Sequence, residues 1–239
     1  DFGLNVPTQD GFELGRIVYR GEILPDTFSI PPKSLTKHAF ITGITGSGKT
    51  NTCLALLRAA YEREQAPFMV IEPAKQEYRP LLADTVMGRE LQIFTLGDET
   101  TSPFRMNPFL FARGFPLLTH IDLLKAVFNS SFPMYASMPY ILEEAILDVY
   151  TDRGWDLATS KNQHIDAAVD DYTPYLPTME DLYRQIDVVV ERTRYAQQLS
   201  MDISAALKAR IKSLLIGGKG LMLNCPRSYP LELLFNRPT

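Results

Sequence analysis

The sequence predicts an α/β fold in which a parallel β-sheet with flanking helices is followed by a large helical region. Up to about residue 112, short apolar runs typical of buried strands alternate with helix-forming segments, as in a parallel sheet covered by helices. Beyond that point apolar residues recur at helical spacing instead. A glycine-rich loop between the first apolar run and the first helix carries most of the functional information.

An edge strand or hairpin is expected before the sheet, at residues 14–21, followed by a proline-bearing approach to the first buried strand. The buried strands of the predicted sheet lie at residues 39–42, 67–73 and 91–96. A helix is predicted over residues 51–61, between the first and second of these strands.

Residues 43–50 spell Gly-Ile-Thr-Gly-Ser-Gly-Lys-Thr, the phosphate-binding pattern G-x-x-x-x-G-K-[ST] with every position filled. The glycines let backbone N–H groups converge, and the following helix adds the partial positive charge of its N-terminus. Lys49 is expected to reach the β- and γ-phosphates as a catalytic group, and Thr50 to ligate Mg²⁺. The predicted residues for binding ATP are Gly43, Ile44, Thr45, Gly46, Ser47, Gly48, Lys49, Thr50 and Asn51.

Four helices are predicted in the second half of the chain. Three have clear limits, at residues 117–128, 140–150 and 203–216. The fourth is expected to begin after Thr178, whose hydroxyl is a good N-cap, and a surface loop is expected at residues 158–173. Gly217 and Gly218 are expected to close the last helix.

These elements predict four parts of the chain. They are lead-in strands at residues 1–37, a P-loop ATPase core at 38–112, a helical insertion at 113–220 and a return toward the core at 221–239. The fold class is therefore a P-loop NTPase of the RecA/FtsK type, which we expect to be truncated before the last core strands.

A P-loop ATPase also needs an apolar strand ending in acidic residues, which hold Mg²⁺ and polarise the attacking water. Residues 68–72 end in Glu72, but this strand directly follows the first helix, so a structural or supporting role for Glu72 is favoured over a catalytic one. Residues 186–191 lie inside a helical pattern. We expect the acidic strand to lie beyond this chain, which would bind ATP but hydrolyse it slowly or not at all.

Composition is that of an ordinary globular protein, with a net charge of −4. No apolar run approaches the ~20 residues of a transmembrane helix. Two cysteines and three isolated histidines suggest neither a disulfide framework nor a His/Cys metal site. We expect a cytoplasmic protein without membrane insertion. Candidate arginine fingers are Arg192, Arg194 and Arg210, although surface or helix-packing roles are favoured for each.

Several short motifs together resemble the HerA-like branch of the HerA/FtsK ATPases. In that branch a strand beginning with His runs into the phosphate loop, an acid-Pro pair and a Glu-Tyr pair follow the second strand, and an Asn-Pro-Phe element follows the third. The matching positions are His38 to Thr50, Glu72-Pro73, Glu77-Tyr78 and Asn107-Pro108-Phe109, with a glycine-rich exit at 217–220. The resemblance is that of the central domain of helicase HerA.

This resemblance implies a RecA-like core, ATP hydrolysis with Mg²⁺, a homo-hexameric ring and translocation on double-stranded DNA, often beside a nuclease or another effector. We expect the N-terminal β-barrel of such proteins to be absent or barely represented by residues 1–30. Three alternatives stay open: a secretion or conjugation ATPase of the same fold, a small-molecule P-loop kinase, and a nucleotide-binding regulatory module without turnover.

Overall fold

The computed structural model describes residues 11–73, 75–166, 171–193 and 197–236. These residues form two compact units. The N-terminal unit holds the described residues up to Ile93 together with those from Pro230 onward. The helical unit runs from Phe94 to Tyr229.

The N-terminal unit begins with a β-hairpin of two antiparallel strands, β1 (Phe12–Tyr19) and β2 (Glu22–Ile30). The two residues between them, Arg20 and Gly21, both have left-handed φ values, of 52° and 85°. A two-residue turn of this kind matches the right-handed twist of the flanking strands. The hairpin predicted from the sequence is therefore confirmed.

Helix α1 (Lys49–Glu64) follows the glycine-rich loop and ends at Gln65, whose φ is 51°. It extends the predicted helix by a few residues at each end. A short 3-10 helix lies on either side of it, at Pro32–Thr36 and Arg79–Ala83. The unit has a small core made of the buried side chains of Tyr61, Leu81 and Met87.

The structure does not show the predicted parallel sheet, because the hairpin is the only sheet among the residues that it describes. Segments 39–42, 67–73 and 91–96 are irregular where they are described. Phe40 and Ile71 are 89% and 78% exposed, so these side chains lack the two-sided burial of a central strand. An apolar run forms a parallel strand only when distant segments pair with it, and such pairing is not encoded within the run.

The helical unit contains five of the described α-helices. They are α2 (Leu117–Ser131), α3 (Met138–Asp152), α4 (Met179–Arg192), α5 (Gln197–Leu215) and α6 (Gly217–Leu223). A 3-10 helix lies at Thr173–Tyr175, and α7 (Leu231–Phe235) follows in the N-terminal unit. The four helices predicted in the second half of the chain are confirmed, although α5 begins at Gln197, before the predicted start at residue 203.

The core of the helical unit forms where the apolar faces of α2, α3, α4 and α5 meet. In α4, for example, Leu182, Ile186 and Val189 are completely buried at intervals of three and four residues. The start of α4 is held by a capping box, in which Thr178 accepts the N–H of Asp181 and Asp181 accepts the N–H of Thr178. The predicted N-cap is therefore confirmed.

The Asn107-Pro108-Phe109 element is a buried turn. The Asn107 side chain donates to the carbonyl of Pro177 at 2.9 Å and accepts the N–H of Phe109 at 3.0 Å. Phe109 packs edge-to-face on Tyr150. Asn107 therefore has a structural role in holding this turn.

Helix α5 ends at Leu215, and the glycines predicted to close it are the first two residues of α6. Gly217 follows the helix closely with a φ of 62°, and Gly218 packs directly on the backbone of Gly97. A Cβ at Gly218 would lie 1.8 Å from the Gly97 carbonyl oxygen, so this approach excludes any side chain. None of the helices in the described part of the chain has both the length and the apolar character needed to cross a membrane.

Candidate functional site

The glycine-rich loop turns tightly into α1 through two left-handed residues. Gly46 has a φ of 80° and Gly48, which begins the helix as its N-cap, has a φ of 91°. Residues with a Cβ adopt this conformation at a cost of about 1–2 kcal/mol. The Ser47 N–H closes the turn by donating to the carbonyl of Ile44 at 3.2 Å. The glycines of the motif therefore occupy positions whose conformation requires them.

The first glycine of the motif lies close to the Ser47 side chain. A Cβ at Gly43 would lie 2.4 Å from the Ser47 hydroxyl oxygen and 3.3 Å from the Ser47 Cβ, so a larger residue would force Ser47 to move. Gly43 is therefore the position at which the loop folds back against its own later residues. The loop itself is exposed, and Ile44 at its tip is 82% exposed.

Lys49 is the first residue of α1, and its side chain reaches back across the loop. Its ammonium group donates to the carbonyl of Gly43 at 2.9 Å and to that of Ile44 at 2.8 Å. The side chain therefore brings a positive charge to the inner face of the loop. Because these acceptors are uncharged carbonyls, an anionic ligand would be a stronger partner for the same ammonium group.

The N-terminus of α1 has no side-chain cap, because its N-cap is Gly48. The first four N–H groups of a helix have no partner within the helix, and the helix dipole adds a partial positive charge there. The carbonyl of Gly48 accepts the first intrahelical bond, from Thr52 N–H at 2.9 Å. The loop and this helix end together present a set of hydrogen-bond donors suited to an anion.

The hydroxyl of Thr50 contacts a carboxylate from another segment. It donates to Glu77 Oε2 at 2.5 Å, across 27 residues of sequence. The other carboxylate oxygen, Oε1, accepts the Lys75 ammonium at 2.9 Å. The hydrogen bond from Thr50 and then that from Lys75 lower the pKa of Glu77. The carboxylate is therefore ionised at neutral pH.

Glu72 does not reach the loop through its own side chain. Its Oε1 instead accepts the backbone N–H of Glu77 at 2.6 Å. Glu72 therefore holds the segment that carries Glu77, which is the supporting role favoured from the sequence. Tyr78 follows, and burial together with a hydrogen bond to Cys53 raises its pKa to about 12. Tyr78 thus joins the same segment to α1 as a neutral phenol.

The family model for the central domain of helicase HerA matches residues 12–221. The chain belongs to the HerA central-domain family. This confirms the resemblance seen in the sequence, and it makes the chain a domain of the P-loop ATPase class. Neither the curated proteins nor the solved structures gave a match.

The arginines considered as fingers for a HerA-type ring have structural partners. Arg192 on α4 pairs with Glu144 and Asp148 of α3, each at 3.0 Å. Arg210 donates to three oxygens, which belong to Pro133, Ala206 and Tyr135. Arg192 therefore packs α4 against α3, and Arg210 joins α5 to the segment between α2 and α3, so both have the structural roles favoured from the sequence. Arg194 lies outside the described residues.

The segment at residues 186–191 is helical, as expected, and its acid is engaged within the helical unit. Asp187 of α4 accepts the Ser204 hydroxyl at 2.7 Å and pairs with Lys208 of α5. It is not the acidic strand end of a HerA-type ATPase. Across the described ranges, no group of three or more His, Cys, Asp or Glu side chains is arranged to hold a metal ion.

Glu77 is the site residue that sequence reasoning did not assign. In the sequence the Glu77-Tyr78 pair matches a family motif that gives it no role in the site. The sequence feature that could have indicated Glu77 is its position shortly after the second predicted strand. In a parallel sheet the ends of neighbouring strands lie near the phosphate loop. The structure places its carboxylate on Thr50, the residue predicted to bind Mg²⁺.

Proposed function

We propose that this chain is the ATP-binding motor domain of a HerA-type ATPase that translocates double-stranded DNA. The observation that carries the proposal is the loop at residues 43–50 leading into α1. It combines left-handed glycines, an ammonium group, a hydroxyl and an uncapped helix N-terminus, all in a chain of the HerA central-domain family.

The residues present fit ATP with Mg²⁺. The N-terminus of α1 has no side-chain cap, and its N–H groups together with those of the loop suit phosphate oxygens. Lys49 would exchange its carbonyl partners for the β- and γ-phosphates, and Thr50 would ligate Mg²⁺. Bound Mg²⁺ would neutralise charge on the phosphates.

Lys49 has the main role of this chain in the proposed reaction. Phosphoryl transfer depends on positioning and on stabilising the charge that spreads over the γ-phosphate. The loop amides hold the phosphates in place, while the ammonium of Lys49 supplies positive charge within hydrogen-bonding reach. Glu72 acts indirectly in this proposal, since its carboxylate holds the backbone of Glu77.

The same proposal assigns each part of the chain to a place in a RecA-like motor. Residues 38–112 would supply strands to a parallel RecA-like sheet, preceded by the lead-in strands of residues 1–37. Residues 113–220 would be a helical insertion, with residues 221–239 returning toward the core. A homo-hexameric ring would place each ATP at a subunit boundary, where a neighbour contributes an arginine. Such a motor would act in the cytoplasm, beside a nuclease or another effector.

The test is phosphate release by the purified protein with Mg²⁺-ATP, measured with and without double-stranded DNA. We expect slow basal release that DNA raises several-fold and that Lys49→Ala abolishes. Light scattering during gel filtration should show a hexamer with nucleotide present. Release that ignores DNA but responds to a protein substrate would support a secretion ATPase instead. Phosphoryl transfer to a small acceptor would support a kinase, and nucleotide binding without any turnover would support a regulatory module.

A further inference from the structure

We propose that Glu77 is a positioning residue for the magnesium ligand Thr50. This inference rests on the proposed function, because it concerns how the same site holds Mg²⁺ with its nucleotide. It assigns a role to a carboxylate that the phosphate-loop motif does not include.

The geometry of a hydroxyl explains why the contact matters. A threonine hydroxyl has one proton and two lone pairs, and it ligates a cation through a lone pair. Its proton must then point to another acceptor. In this structure the Thr50 proton is donated to Glu77 Oε2 at 2.5 Å. The rotation of the hydroxyl is thereby fixed, with its lone pairs directed away from Glu77.

The distance between the Thr50 hydroxyl and the Glu77 carboxylate distinguishes this positioning role from direct coordination of Mg²⁺ by Glu77. Mg²⁺ demands octahedral geometry with oxygens at about 2.0–2.1 Å, which places adjacent ligand oxygens about 2.9 Å apart. The 2.5 Å separation of Thr50 Oγ1 and Glu77 Oε2 is instead that of a hydroxyl donating to a carboxylate. In this arrangement Glu77 would act on a bound Mg²⁺ through Thr50.

Glu77 is itself held in place from two sides. Lys75 donates to its other carboxylate oxygen at 2.9 Å, and Glu72 accepts its backbone N–H at 2.6 Å. A carboxylate fixed at both ends orients a neighbouring ligand better than a freely rotating one. Groups that orient metal ligands in this way change metal affinity by about 10–100-fold when they are removed.

The experiment compares ADP binding by calorimetry in excess Mg²⁺ and in EDTA, using the full chain. The quantity of interest is the factor by which Mg²⁺ increases ADP affinity. We expect Glu77→Ala to reduce this factor by about 10-fold or more while metal-free ADP affinity changes by less than about twofold. Glu77→Gln, which keeps an acceptor oxygen at the same position, should retain most of the factor.

Two further variants complete the test. Thr50→Ala and the double variant Thr50→Ala with Glu77→Ala should show the same Mg²⁺ factor, because Glu77 has no ligand left to orient. Glu64→Ala is the matched control, since Glu64 lies at the far end of α1 and its side chain is 45% exposed against 40% for Glu77. Thermal unfolding of each variant checks that the fold is retained.

Several outcomes would overturn the inference while leaving the proposed function intact. They are a Mg²⁺ factor unchanged in Glu77→Ala, an equal loss in Glu77→Gln, or an equal loss of affinity with and without Mg²⁺. The last would mark Glu77 as a purely structural residue. Absence of ADP binding by the parent protein under both conditions would instead overturn the proposed function, and the inference with it.

Discussion

The Glu72 carboxylate accepts the backbone N–H of Glu77 at 2.6 Å. This bond joins the end of the second apolar run to the segment whose carboxylate contacts Thr50. Glu72 therefore positions the backbone of Glu77 and acts on the candidate site indirectly. Its chemistry in this position is that of a hydrogen-bond acceptor, and a neutral amide oxygen can supply the same bond.

Glu72→Gln should consequently leave nucleotide affinity and phosphate release near the parent values, whereas Glu72→Ala should lower nucleotide affinity by loosening the Glu77 segment. Calorimetry and a phosphate-release assay on the two variants measure both effects. Loss of phosphate release in Glu72→Gln with unchanged ATP affinity would show instead that Glu72 is the catalytic acid.

Gly48 and Gly21 make a matched pair, because both are left-handed, at φ values of 91° and 85°, and both have open space around the missing Cβ. Replacing either by Ala should lower the free energy of unfolding by about 1–2 kcal/mol. Only Gly48→Ala should also weaken ATP binding, since Gly48 sets the first turn of α1 against the loop. Equal loss of ATP affinity in Gly21→Ala would contradict a local role for Gly48.

Asn107→Ala should destabilise the helical unit without affecting nucleotide affinity in the folded protein. The substitution leaves the Pro177 carbonyl and the Phe109 N–H without their partner, at a cost of about 2–4 kcal/mol. Chemical denaturation measures the loss, and Asn129→Ala on the exposed face of α2 is the control. A stable Asn107→Ala variant that fails to bind ATP would place Asn107 in the nucleotide site.

Asp84 should make the N-terminal unit sensitive to acid. Its carboxylate accepts the N–H groups of Val86 and Met87, and these bonds lower its pKa below the usual 3.8. A lowered folded pKa adds stability above pH 3.8 that is lost as the pH falls through the folded value. Asp84→Asn keeps the acceptor oxygen, so its unfolding free energy should fall less steeply in this range. An equal fall of the unfolding free energy with pH in Asp84→Asn and in the parent protein would contradict this role.

The sequence predicted the elements whose cause is local. The hairpin follows from the Arg20-Gly21 turn, α4 from the Thr178 cap, and the phosphate loop from glycines at left-handed positions. Each of these signals lies within a few neighbouring residues. For the same reason the helices of the second half were predicted, with the largest error at the start of α5.

The features that the sequence did not predict depend on distant contacts. The Thr50 to Glu77 bond joins residues 27 positions apart, and nothing in either local motif indicates it. Packing roles were favoured for Arg192 and Arg210 from the sequence, but their particular partners lie on other segments and could not be read from the basic stretch that contains them. The apolar runs around Phe40 and Ile71 indicate a tendency to be buried, whereas strand pairing depends on segments elsewhere.

The most direct test of the nucleotide site is calorimetric titration of Mg²⁺-ATP into the parent protein, Lys49→Ala and Lys37→Ala. Lys37 is an exposed lysine just before the loop and serves as the control. Loss of the Lys49 charge should remove about 1.5–3 kcal/mol, or roughly 10- to 100-fold in affinity, while Lys37→Ala binds like the parent. Equal ATP affinity in Lys49→Ala and the parent would contradict the assignment of residues 43–50 as the nucleotide site.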